Sequence, residues 1–103
     1  MGQRDGLAEK IRRKSSKMNR MKRDVRSAKK RGKDMRKLIA VLALLQSGQS
    51  LPDKYHDHAL DGNLRDFREC HIEPDWLLMY QLFEDRLILS AAVTGTHADL
   101  FGE

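Results

Sequence analysis

The sequence predicts an α+β fold, with two antiparallel N-terminal helices packed on a small twisted antiparallel sheet. Two observations carry this. Apolar residues recur at three- and four-residue steps as far as Leu45, and from Phe67 onward the period changes to two. Residues that end helices and make turns (Gly32, Gly48, Pro74, Gly95) fall between the periodic stretches and cut them into short elements.

The elements follow in order. "MGQRDGLAEK" reads as a frayed start or a first helical turn. In the next stretch Met18, Met21, Val25 and Ala28 form a thin apolar stripe on an otherwise basic helix. Gly32 breaks that helix, and Asp34 is placed to cap a second. There Met35, Leu38, Ile39, Leu42 and Leu45 make a fuller apolar face that ends near Ser47-Gly48. "SLPDKYHDHALDGN" reads as a loop from its Pro, Asp and Gly content. Phe67 to Ile72 then alternates, putting Phe67, Glu69 and His71 on one face and Arg68, Cys70 and Ile72 on the other. Glu73-Pro74-Asp75 forms a turn, because proline cannot donate to a ladder. Trp76–Phe83 and Arg86–Val93 are strands joined at Glu84-Asp85. A tight two-residue hairpin there sets Phe83 opposite Arg86 and, carried along the ladder, Trp76 opposite Val93. "TGTHADLF" then leaves the strand through Gly95 and delivers His97 to the same end.

The chain is expected to be one domain, residues 1–103, and its charge is divided unevenly. Residues 1–37 carry 16 Lys+Arg against 4 Asp+Glu, and residues 38–103 carry 4 against 11, so halves of +12 and −7 make the net +5. All four histidines (His56, His58, His71, His97) lie in the acidic part. One part suited to a polyanion and another suited to chemistry would look like this. The single cysteine, Cys70, excludes an internal disulfide framework. The longest apolar run, Leu38 to Leu45, is eight residues and too short for a bilayer. A cytoplasmic protein with no membrane partner is expected.

The strand-end residues admit a chemical reading. His71, Asp75, His97 and the "HDH" loop converge, with Glu69 two residues from His71 on the same face. Imidazole moves protons near neutral pH, and a neighbouring carboxylate orients it. RNA brings its own nucleophile, the 2′-OH, so a ribonuclease without a metal needs a base, an acid and a group that stabilises charge on the phosphate. Each residue also has a plainer role: a solvated loop histidine, a satisfied strand histidine, a turn carboxylate, a core tryptophan. His-x-His with distant ligands lacks a recognised zinc spacing, so no metal or other cofactor is expected.

Four ordered stretches, "KKRGKDM" at 29–35, "LPDKYHDHALDGN" at 51–63, "FRECHIEPDWLLMY" at 67–80 and "TGTHADLF" at 94–101, resemble the YafQ branch of the RelE superfamily of type II toxin–antitoxin toxins. The likeness runs from about Lys22 to Phe101 and is weak over residues 1–17, where the family opens with a short strand and this chain has "EKIRRKSS". The resemblance implies a RelE-like fold and a ribosome-dependent mRNA endonuclease (an mRNA interferase) that cuts the A-site codon. Its partners would be ribosomal RNA, mRNA and a cognate antitoxin. It implies His58, His71, Asp75 and His97 as the acid–base set, with Glu69, Trp76 and Phe101 in support. Lys22, Arg23, Arg26, Lys29, Lys30, Arg31 and Lys33 would bind RNA.

One position departs from the pattern. The family motif reads "RTGTH", and its arginine would stabilise the phosphate; this chain reads "VTGTH", with Val93 at that place. Either another cation substitutes, Arg68 and Arg65 being nearest in sequence, or the chain is a weakened or inactive homologue that still binds ribosome and antitoxin.

Overall fold

The computed structural model describes residues 17–84 and 86–102, without the side chains of 17–19 and 89–91. The expectations for the opening segment and for Met18 in the apolar stripe lie outside what is described. The order is α1 (Lys17–Lys30), α2 (Met35–Gln46), β1 (His58–Ala59), β2 (Arg68–Glu73), β3 (Trp76–Phe83), β4 (Arg86–Gly95) and α3 (His97–Phe101). Single 3-10 turns stand at Asp53–Tyr55 and Gly62–Leu64. The strands form one antiparallel meander, β1-β2-β3-β4.

α1 presents Met21, Val25 and Ala28 to the sheet and lies along β4. Asp24, its one carboxylate, points the same way: it pairs with Arg20 one turn earlier and accepts the Thr94 amide N–H at 3.2 Å. Burial raises the Asp24 pKa, against the lowering effect of Arg20 and the Thr94 amide. Gly32, at φ +83°, ends the helix. The Gly32 N–H bonds the Lys29 carbonyl and the Lys33 N–H bonds that of Ala28, the pattern of a Schellman cap. Asp34 caps α2 as expected, accepting from the Arg36 N–H at 3.0 Å.

In α2 the buried residues are Leu38, Val41 and Leu45, while Ile39, expected on the apolar face, is 62% exposed. The segment "LIAVLALL" has more apolar residues than one face can hold, so packing rather than composition selects the arc. It centres on Leu38, Val41 and Leu45, with Met35 and Leu42 at its margins.

The sheet has two covered faces. On one, Cys70, Ile72, Trp76, Leu78, Tyr80 and Ala92 pack with α1 and α2. On the other, Phe67, Leu77, Met79 and Val93 form a smaller cluster with Leu60, Leu64, Leu100 and Phe101. The predicted alternation of Phe67 against Cys70 and Ile72 is therefore present.

The β3–β4 register begins as predicted and then departs. Phe83, Leu82 and Gln81 face Arg86, Leu87 and Ile88, but Met79 faces Val93 and Leu77 faces Gly95. Between those blocks β4 has four residues where β3 has one, so Val93 pairs with Met79 and not with Trp76. An irregularity of this kind bends a strand and re-aims everything beyond it. β2 carries a smaller shift between His71 and Glu73, beside the Pro74–Asp75 turn.

Candidate functional site

The register builds the site in two rows on the face away from α1 and α2. His58 pairs with Glu69, which pairs with Met79, which pairs with Val93; beyond it His71 pairs with Leu77, which pairs with Gly95. Partners across an antiparallel ladder share a face, so His58, Glu69 and His71 stand together. His97 arrives from α3. Thr96 caps this short helix by a reciprocal pair: its hydroxyl accepts the Asp99 N–H, and the Asp99 carboxylate accepts the Thr96 N–H. Arg31, from the turn after α1, donates to the same carboxylate and ties α3 to the other side of the sheet. With that bond as the largest cause, the Asp99 pKa is lowered to about 2.

The rings then line up. His56 stands edge-on to His71 at 5.9 Å between centroids, His71 lies 6.3 Å from His97, and His97 lies 5.9 Å from Phe101. Nδ1 of His71 faces the Pro74 carbonyl at 3.3 Å. A carbonyl only accepts, so this contact sets Nδ1–H and leaves Nε2 free to take a proton. His58 sits between two acceptors: Nδ1 bonds the His56 carbonyl at 2.8 Å, and Nε2 is 3.2 Å from Glu69 Oε2. Both ring nitrogens therefore face oxygen acceptors. Glu69 is buried, and its Oε1 has no hydrogen-bond partner among the described residues.

The loop with His56 and His58 is held from the opposite face. Asp57 points towards the helices, where it accepts the Tyr80 hydroxyl and both Nε and Nη2 of Arg68. Burial first, then the Asp57 carboxylate, raises the Tyr80 pKa well above that of an ordinary phenol, so the hydroxyl remains a donor. His56 takes the left-handed conformation, φ +50° and ψ +42°, which is uncommon away from glycine and is held here by the contacts on either side.

Of the residues expected at a site, His58, Glu69, His71, His97 and Phe101 are brought together, with Asp75 exposed on the adjoining turn. Trp76 is not among them. It is 1% exposed on the α1–α2 face, where Lys33 Nζ lies 5.9 Å from its ring centroid. Val93 shares the histidine face but is 1% exposed inside the Phe67–Phe101 cluster. Arg68, one of two cations expected to replace a missing arginine, belongs to the other face and is committed to Asp57. Lys22, Arg23, Arg26, Lys29 and Lys30 form the exposed basic side of α1. Among the described residues no three His, Cys, Asp or Glu side chains form a metal-holding group. The sequence reading missed Asp57 and Tyr80 as a clasp; it brought the "HDH" loop to this end but did not count His56 in the acid–base set. The i, i+2 spacing of "HDH" was the one available signal.

A helix pair on one face of a four-stranded antiparallel meander, with histidines gathered on the other, is the RelE-like arrangement. The chain belongs to the YafQ toxin family of type II toxin–antitoxin systems: the family described as "Bacterial toxin of type II toxin-antitoxin system, YafQ" matches residues 13–102. It is 46% identical over 81 residues to the mRNA interferase toxin YafQ of Escherichia coli strain K12, covering 78% of this chain and 86% of that protein. The crystal structure of YafQ from E. coli strain BL21(DE3) superimposes with a TM-score of 0.72 at 40% identity, over 81% of this chain and 91% of that one. The toxin chain matched in the E. coli DinJ–YafQ toxin–antitoxin complex gives 0.70 at 42% identity, over 81% and 90%.

Proposed function

We propose that this toxin is a ribosome-dependent mRNA endonuclease that cuts the A-site codon by acid–base catalysis, without a metal. A cognate antitoxin would silence it, as the similar E. coli toxin is found complexed with DinJ. The observation that carries the reading is the row of imidazoles, above all His71 and His97 at 6.3 Å. That spacing lets two rings address opposite oxygens of one phosphodiester. His71, with Nδ1 anchored and Nε2 free, takes the proton of the RNA 2′-OH. The 2′-oxygen then bonds to phosphorus, the bond to the 5′-oxygen breaks, and His97 protonates the leaving oxygen. The products are a 2′,3′-cyclic phosphate and a 5′-hydroxyl. His58, oriented by Glu69, and Asp75 complete the set, Phe101 supports His97, and the basic side of α1 with Arg31 and Lys33 docks on ribosomal RNA.

A second reading has one observation behind it. Val93 is sealed in an apolar cluster and Arg68 is bound across the sheet, so neither supplies a cation to the phosphate. A missing transition-state contact of this kind costs about 2.7–4 kcal/mol, or about 10²–10³ in rate. The chain would then bind ribosome and antitoxin while cutting slowly. Cleavage of mRNA on purified 70S ribosomes, mapped by primer extension, separates the readings. The parent cuts and His71→Ala does not if the first holds; cutting only by Val93→Arg supports the second. Parent-like cutting by His71→Ala would overturn the site, and silence from every form with ribosome binding intact would leave a binding protein.

A further inference from the structure

We propose that the cleft at the free edge of β2 holds a nucleotide of the RNA next to the scissile phosphate, so that it is the toxin's own contribution to choosing the codon. The proposal rests on the endonuclease reading above. Its basis is where β1 stops. That strand pairs only with Arg68 and Glu69, so beyond Glu69 the edge of β2 has no strand beside it among the described residues. The Asp53–Tyr55 turn stands off from this edge and leaves a cleft of 570 Å³, with Lys37, Lys54, Tyr55, His56, His71 and Pro74 in its walls. That is room for a nucleotide, and the cleft is continuous with the histidine row because His56 and His71 line both. A strand of RNA lying on His71 and His97 enters it next.

The walls suit a nucleotide more than any other ligand of this size. Tyr55, half-buried where it packs against the helix-face cluster, lines the cleft together with the His56 and His71 imidazoles, which gives a base flat surfaces to stack on. Lys54 is exposed, its ammonium lies 5.1 Å from the Tyr55 ring centroid, and it has no carboxylate partner among the described residues. It is free to meet a phosphate. Lys37 is neutralised by Glu73 at 2.8 Å, which leaves a carboxylate in the wall. Glu73, which also lies 4.0 Å from Lys33 Nζ, can still accept a hydrogen bond from a base edge. An acidic peptide would have no use for the rings.

The test compares Tyr55→Ala, Tyr55→Phe and Lys54→Gln with the parent in the full chain. On programmed 70S ribosomes carrying a panel of A-site codons, Tyr55→Ala raises KM by a factor of about ten with kcat retained, the signature of lost uniform binding, and flattens the codon profile. Tyr55→Phe, which keeps the ring, behaves as the parent, and Lys54→Gln, an exposed change that leaves the fold intact, raises KM as well. Amide NMR with a 2′-O-methyl trinucleotide, which cannot be cut, gives an independent readout: shifts at Tyr55, His56 and His71 that Tyr55→Ala removes. Unchanged KM and codon profile in Tyr55→Ala, while the parent cuts, overturns the cleft and leaves the endonuclease standing. Shifts at the cleft with no cleavage by any form sink the endonuclease reading and uphold the cleft as an RNA site. Shifts confined to α1, or cleft shifts produced by pentaglutamate and not by the trinucleotide, overturn the proposal.

Discussion

Tyr80→Phe tests the clasp that holds the "HDH" loop. Tyr80 is fully buried, and its hydroxyl donates to Asp57, which also takes two N–H groups from Arg68. Phenylalanine fills the same volume, so the substitution removes one hydrogen bond and opens no cavity. A bond to a charged partner contributes about 1.5–3 kcal/mol. The Asp57 side chain retains 20% exposure and keeps Arg68, so water can take up part of the loss and the lower end, about 1.5 kcal/mol, applies. For a domain of this size that is a fall in Tm of about 6–12 °C. Urea unfolding of parent, Tyr80→Phe, Asp57→Asn and the double variant measures the coupling directly. Cleavage should also fall in Tyr80→Phe, although the hydroxyl lies across the sheet from the histidines, because the loop it secures carries His56 and His58. Stability within about 0.5 kcal/mol of the parent and no coupling in the cycle would show that the clasp contributes nothing.

Other predictions concern buried or crowded groups. Burial, helped by Asp57 and Glu69, pushes the Cys70 thiol up to about 12, so a disulfide reagent at pH 8 should label it only after denaturation. Rapid labelling of the native chain would contradict the packing of β2 against the helices. At Gly95 an added Cβ would lie 2.8 Å from Asp99 Cβ, so Gly95→Ala should displace α3 at a cost of about 1–3 kcal/mol and lower cleavage by moving His97. A variant as stable and active as the parent would show that α3 can give way. Asp99, held near 2 by Arg31 and the Thr96 groups, contributes stability that is fully present above its ordinary value of 3.8 and is lost as the pH falls through about 2. An NMR titration of the Asp99 carboxyl checks this, and a midpoint that does not rise in Arg31→Ala would remove Arg31 as the cause.

Much of the architecture could be read from the chain because local physics decides it. Trp76–Phe83 is a strand with the bounds expected, β2 differs by one residue at each end, and Asp34 caps α2. Alternation assigned Glu69 and His71 to one face and Cys70 and Ile72 to the other, and burial agrees. What could not be read depends on contacts between distant residues. The register offset in β4 leaves no mark on alternation within either strand, yet it moves Val93 from Trp76 to Met79. β1 has two exposed residues, too few for a period. Asp57 meets Tyr80 across 23 positions, and nothing in "HDH" announces that its middle residue faces away from the other two. The resemblance to the family named the histidines. Alternation already set Arg68 on the face opposite His71; only the fold shows that Trp76 stands there too.

The shortness of β1 has a consequence for the order in which the molecule comes apart. His56 and His58 belong to a segment held by two residue pairs at the sheet edge and by one clasp, whereas His71 and His97 are seated on or beside the long β3–β4 ladder. Segments with few buried contacts open at free energies below that of global unfolding. The amides of residues 53–60 should therefore exchange with solvent well before those of β3. Half of the histidine row then sits on a weakly held edge and half on or beside the long ladder, and mild heat takes the row apart while the two-faced core is still whole.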